Sequence, residues 1–142
     1  MDNICIQVLH PGFLLQIISA YDENSSPQKN IDRRKTHHQR RSARKILAAL
    51  PGVKIREMDR SRQNTLCCGG GGGNLFTDIL GNGPESPAKN RVMEALGTDA
   101  HILAVSCPSC AVMLEDAVKS TNLDERIQVR EISEIVNNRL KE

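Results

Sequence analysis

The stretch "AHILAVSCPSCAVMLEDAVKS", Ala100 to Ser120, joins a short apolar run to a helical pattern through two cysteines. "AHILAVS" has the length and continuous apolarity of a buried strand. "CPSCAVMLEDAVKS" places Ala111, Leu114 and Val118 at helical spacing. Pro108 suits the first turn of that helix, where its missing N–H is no loss. The stretch therefore predicts a strand whose carboxyl end delivers Cys107 and Cys110 to a helix N-terminus.

The same grammar repeats on either side. Upstream, "SARKILAAL" reads as a helix with Ser42 as N-cap and a stop at Pro51-Gly52. "VKIREM", Val53 to Met58, alternates as a strand does. "SPAKNRVMEAL", Ser86 to Leu96, puts Val92, Met93 and Leu96 on one helical face, ended by Gly97. Downstream, "IQVRE" (Ile127–Glu131) alternates again. "SEIVNNRLK" closes with Ile135, Val136 and Leu140 expected inward. Strands separated by helices predict an α/β fold, a small Rossmann-like parallel sheet with right-handed crossovers flanked by helices. Ligands of such sheets sit beyond the carboxyl ends of the strands. Both cysteine pairs follow a predicted strand: Cys107 directly, Cys67-Cys68 after a short loop. The four thiols are thus expected at one edge of the sheet.

The pattern weakens before Ser42. "YDENSSPQKN", Tyr21 to Asn30, is polar and turn-forming, and "KNIDRRKTHHQRRSARK", Lys29 to Lys45, is basic. Residues 1–41 are read as an irregular or divergent segment and residues 42–142 as one cysteine-rich domain. Net charge is +2, with eight Lys and Arg against four Asp and Glu in residues 1–50. The basic run reads as a solvated segment. With two Phe, one Tyr and no Trp the chain lacks stacking surfaces, which argues against nucleic-acid binding. "GFLLQIISA", Gly12 to Ala20, is far shorter than the ~20 residues of a spanning helix. "MDNIC" lacks a signal peptide's positive start. These features predict a cytoplasmic protein that meets a membrane only through partners.

Five cysteines, clustered in a reducing compartment, favour metal or redox chemistry over structural disulfides. A lone C-x-x-C at a helix N-terminus could be a dithiol, half a zinc site or part of an iron–sulfur site. The dithiol reading leaves Cys67 and Cys68 unused. These two stand in "LCCGGGGGN", Leu66 to Asn74. The glycines match neither a Walker A loop, which needs a following Lys, nor G-x-G-x-x-G. Gly69, Gly70 and Gly71 are read instead as cofactor-contacting residues. Glycine lets backbone approach a bulky ligand, and amide N–H groups near cluster sulfur tune potential. A single zinc could take four thiolates, but adjacent cysteines chelate one small ion poorly. A multi-iron cluster offers separate irons to neighbouring thiolates.

"LCCGGGGGNLF", the 38 residues from Gly69 through Ser106, and then "CPSC" resemble the cysteine-rich CCG domain family. That family includes heterodisulfide reductase subunits B and D and the iron–sulfur subunit of glycolate oxidase. The likeness extends over roughly residues 42–136. It implies a Rossmann-like domain binding an iron–sulfur cluster, usually of the 4Fe-4S type, or in some members zinc. It also implies electron transfer or thiol–disulfide reduction at that cluster. Carried onto this chain, it makes Cys67, Cys68, Cys107 and Cys110 the ligands. The function expected is an iron–sulfur redox module of a heterodisulfide reductase-like oxidoreductase, working with flavin- or cluster-bearing partner subunits. A disulfide or another small molecule would be the electron acceptor. The alternative is a zinc-stabilised assembly domain.

One departure stands out. The family's further cysteine, in a His-Asp-Pro-Cys-like segment, has no counterpart at its usual distance, where this chain has "PQKNIDRRK". Cys5 and His10-Pro11 lie too far upstream. His37 and His38 could replace it but read as solvated. His101 reads as structural, and Glu115 and Asp116 as surface charge.

Overall fold

The computed structural model describes residues 2–7, 42–71, 73–77, 81 and 83–141. Four strands form one parallel sheet: β1 (Asp2–Gln7), β2 (Val53–Arg56), β3 (Ile102–Val105) and β4 (Gln128–Glu131). Their order across the sheet is β2-β1-β3-β4. Ile4 pairs with Ile55 on one side and Ile102 on the other, and Ile102 pairs with Gln128. Helices follow the strands: α1 over residues 42–49, the short α2 (Asn74–Thr77), α3 (Pro87–Leu96), α4 (Pro108–Ser120) and α5 (Ile132–Arg139). A single 3-10 turn, Arg62–Asn64, precedes the cysteine pair.

The pleat sorts the core into two layers. Leu103 and Val105 pack with Met58, Val92, Ala95, Leu114 and Val129 beneath α3 and α4. Ile102 and Ala104 point the other way and pack with Ile4, Ala43, Leu47 and Ile135 beneath α1 and α5. The helical faces follow from periodicity. On α4, Cys110, Leu114, Ala117 and Val118 are buried. Strand β2 lies on one side of β1, and β3 and β4 lie on the other. Right-handed crossovers then put α1 opposite α3 and α4. The reversal of order lies between β1 and β3, the place where open α/β sheets leave a crevice at their carboxyl edge.

Where sequence and structure differ, the causes are local. The irregular segment expected over residues 1–41 instead begins with strand β1, which lies between β2 and β3 in the sheet. Its "DNICIQ" lacks the continuous apolar run of a central parallel strand, so pairing on both edges decides its state. The basic run, up to Ser42, lies outside the described residues. Ser42 is already helical rather than an N-cap. Strand β2 ends at Arg56, so Met58 is buried from the loop instead. Met93 is 58% exposed, because the inward face of α3 runs through Ala88, Arg91, Val92 and Ala95. Gly97 does end α3, but in right-handed geometry; the left-handed residue is Asp99. Leu140 is 77% exposed, since α5 stops at Arg139.

Two charged links tie loops to this frame. Arg44 on α1 clasps Glu57 with two hydrogen bonds, Nε to Oε1 at 2.6 Å and Nη2 to Oε2 at 2.9 Å. Arg91 is fully buried, and its Nη1 donates to the Arg60 carbonyl at 2.7 Å and to Glu94. Glu94 also pairs with the Arg60 side chain. The loop between β2 and the cysteine pair is therefore pinned to α3 well before Cys67.

Candidate metal centre

Cys107 leaves β3 in extended conformation and stands at the N-cap of α4, with Pro108 next. Its carbonyl accepts the Ala111 N–H at 3.0 Å, which closes the first turn and points Cys110 inward. Cys107 and Cys110 are both buried, at 9% and 1% exposure. The first turn of a helix leaves N–H groups without helical acceptors, and the positive end of its dipole favours negative charge there.

Cys67 and Cys68 arrive from the other side, on the irregular loop after β2. Cys68 is buried and Cys67 exposed. Cys68 shares its buried cluster with Cys107 and Cys110. Cys68 beside it, together with burial, pushes the Cys67 thiol above the ordinary thiol range. The Gly69 N–H, 3.4 Å from Cys67 Sγ, opposes the shift. Cys110 beside it and burial push the Cys68 thiol up to about 11. Cys68 is thus coupled to Cys67 in its own motif and to Cys110 in the other.

The glycines do what a side chain would prevent. Gly69 has φ +84°, a left-handed conformation, and a Cβ there would meet the Pro87 ring at 3.4 Å. A Cβ on Gly70 would lie 3.0 Å from Met113 Cγ and 3.7 Å from Cys68 Sγ. Gly71 accepts the Asn74 N–H at 3.1 Å and turns the chain into α2. Met113 and Pro87, which pack on this loop, were not singled out from the sequence. The signal for Met113 was its position three residues after Cys110 on the same helix.

Of the four predicted ligands, Cys68, Cys107 and Cys110 are buried in the core layer that also holds Met58, Val92 and Leu114, and Cys67 is exposed. Among the described residues, no three His, Cys, Asp or Glu side chains close around a single ion. A tetrahedral zinc holds four sulfurs at about 2.3 Å each. A cluster that gives each thiolate its own iron suits a more open donor set. Cys5 belongs to β1, but its side chain, His10-Pro11, His37 and His38 lie outside the described ones. His101 is exposed, its carbonyl accepting the Gln128 N–H at 2.9 Å, and Glu115 and Asp116 are exposed. No helix among the described residues is long and apolar enough to cross a membrane.

Comparison with known proteins shows the family of the chain. The model of the cysteine-rich CCG domain matches residues 34–115, more than half of the chain. The chain is 32% identical over 93 residues to a probable iron–sulfur-binding oxidoreductase, FadF, of Bacillus subtilis, covering 66% of this chain and 13% of that protein. It is 38% identical over 96 residues to one polypeptide of the dihydromethanophenazine:CoB–CoM heterodisulfide reductase of Methanosarcina barkeri, covering 66% of this chain and 22% of that polypeptide. It is 28% identical over 98 residues to the EtfAB:quinone oxidoreductase of Syntrophomonas wolfei, covering 66% and 14%. The chain thus matches less than a quarter of the length of these relatives. No solved structure gives a significant match. The paired thiols at one sheet edge and the family match together place this chain in the cysteine-rich CCG domain family.

Proposed function

We propose that the chain is an iron–sulfur redox module of a heterodisulfide reductase-like oxidoreductase, with Cys67, Cys68, Cys107 and Cys110 as ligands of a 4Fe-4S cluster. The observation that carries this reading is the burial of Cys68, from one motif, in the same core layer as Cys107 and Cys110, from the other. Bound there, the cluster supplies one-electron chemistry. The chain's own residues supply the rest: thiolate donors, a helix N-terminus facing negative charge, and side-chain-free backbone at Gly69, Gly70 and Gly71. The named functions of the relatives support redox partner subunits, with a disulfide or another small molecule as acceptor. Clustered free thiols suit a cytoplasmic location.

Anaerobic reconstitution with iron and sulfide, followed by metal analysis and EPR of the reduced protein, tests the proposal. The expected result is about four irons per chain and a cluster signal. Stoichiometric zinc with no iron–sulfur signal sinks it in favour of a zinc-stabilised assembly domain. Cys68→Ser is expected to abolish cluster loading, and unchanged iron content refutes the ligand assignment.

A further inference from the structure

After Cys68 the chain runs through Gly69 and Gly70, both buried. Each glycine meets a side chain from a different helix. A Cβ on Gly69 would touch Pro87 of α3. A Cβ on Gly70 would lie 3.0 Å from Met113 Cγ and 3.8 Å from Met113 Sδ, on α4. The same point is 3.7 Å from Cys68 Sγ. The Met113 and Cys68 side chains therefore border one spot, the spot that a side chain at residue 70 would occupy.

Met113 is tied to the other motif as well. It follows Cys110 by three residues on α4, so the two share a helix face. It packs, partly buried, against the core layer that holds Cys68, Cys107 and Cys110. Its neighbour Val112 is exposed and Leu114 is fully buried, so Met113 marks the border between solvent and core on this helix. It also lines a cavity with Ser86 and Asp116, whose polar groups suit water. One residue thus contacts the loop of one cysteine pair from the helix of the other.

The chemistry of the side chain suits that place. An unbranched thioether fills an irregular gap and carries no hydrogen-bond donor. Hydrogen bonds to cluster sulfur and exposure to solvent set a cluster's reduction potential. Donors on sulfur favour the more negative, reduced state, so a side chain that keeps them away lowers the potential. We propose that Met113 is a positioning residue of this site: it holds the Cys68 loop against the helix of Cys110 and keeps water off the Cys68 sulfur. Its effect on reduction potential rests on the redox reading above; the shielding of Cys68 does not.

Met113→Ala and Met113→Leu in the full chain test it. In the metal-free protein, iodoacetamide labelling read by mass spectrometry follows each cysteine separately. Met113→Ala is expected to speed labelling of Cys68 about tenfold, through easier local opening, and to leave Cys107 at the parent's rate. Met113→Leu keeps the volume and is expected to stay within about twofold of the parent. In the reconstituted protein, a redox titration followed by EPR is expected to give Met113→Ala a higher reduction potential at the same iron content, and Met113→Leu the parent's potential. Equal acceleration at Cys68 and Cys107, labelling of Cys68 as fast in Met113→Leu as in Met113→Ala, or an unchanged potential in fully loaded Met113→Ala overturns the proposal. Selective exposure of Cys68 by Met113→Ala, in a chain that takes up no cluster, refutes the redox reading alone.

Discussion

The two cysteine pairs reach the same place by different means. Cys107 and Cys110 sit on regular structure: a strand delivers one, and the first turn of α4 orients the other. Cys67 and Cys68 sit on a loop held from outside, by Arg91 through the Arg60 carbonyl and by Pro87 and Met113 through bare glycine backbone. The first pair depends on local geometry and the second on tertiary contacts. A site split in this way should fail at its loop half first.

Arg91→Ala is the sharpest way to break the comparison. It removes a fully buried guanidinium and takes a donor from both Glu94 and the Arg60 carbonyl. Loss of one partner from a buried pair typically costs about 3–5 kcal/mol. Urea denaturation should show a lowered midpoint. A variant within about 1 kcal/mol of the parent, on the order of a surface change, would count against the pinning role.

Gly69→Ala comes next. An alanine must adopt the left-handed region at φ +84°, a strain of about 1–3 kcal/mol, while its methyl only touches Pro87. Alkylation of Cys68 should become faster while that of Cys107 stays slow. Equal acceleration at both would show that the two halves open together. Gly70→Ala should act more mildly, because Met113 has to give way by only a few tenths of an ångström. Pairing it with Met113→Ala should restore the parent's protection of Cys68, and failure to restore it removes Met113 from the account.

The smallest expected effect lies farther from the thiols. The Arg44 guanidinium holds the Glu57 carboxyl below its ordinary value of 4.5. A group depressed in the folded state stabilises above its unfolded value, and that part is lost as pH falls through the folded value. Melting temperature should therefore decline more steeply below about pH 4.5 in the parent than in Glu57→Gln. Parallel curves would show that the clasp carries no pH-dependent stability. Because the pair is partly exposed, the difference should be shallow.

The helical and strand periods after Ser42 were legible because each element is amphipathic over its own length. So were the two motifs and their shared edge, since a parallel sheet sends every strand's carboxyl end the same way. Errors of facing, at Met93 and Leu140, arose where one apolar residue borders the buried stripe and only the neighbour's position decides its side. The unreadable parts share one cause, dependence on residues distant in sequence. Strand β1 is a strand because β2 and β3 hold both its edges. Met113 and Pro87 matter because the Cys-Gly loop folds onto them. By itself, the sequence determined the two cysteine motifs and the sheet edge to which their strands lead, through local periodicity and residue type. Tertiary structure alone decided which core the thiols join and what braces their loop. Those outcomes depend on packing between elements, which no local pattern records.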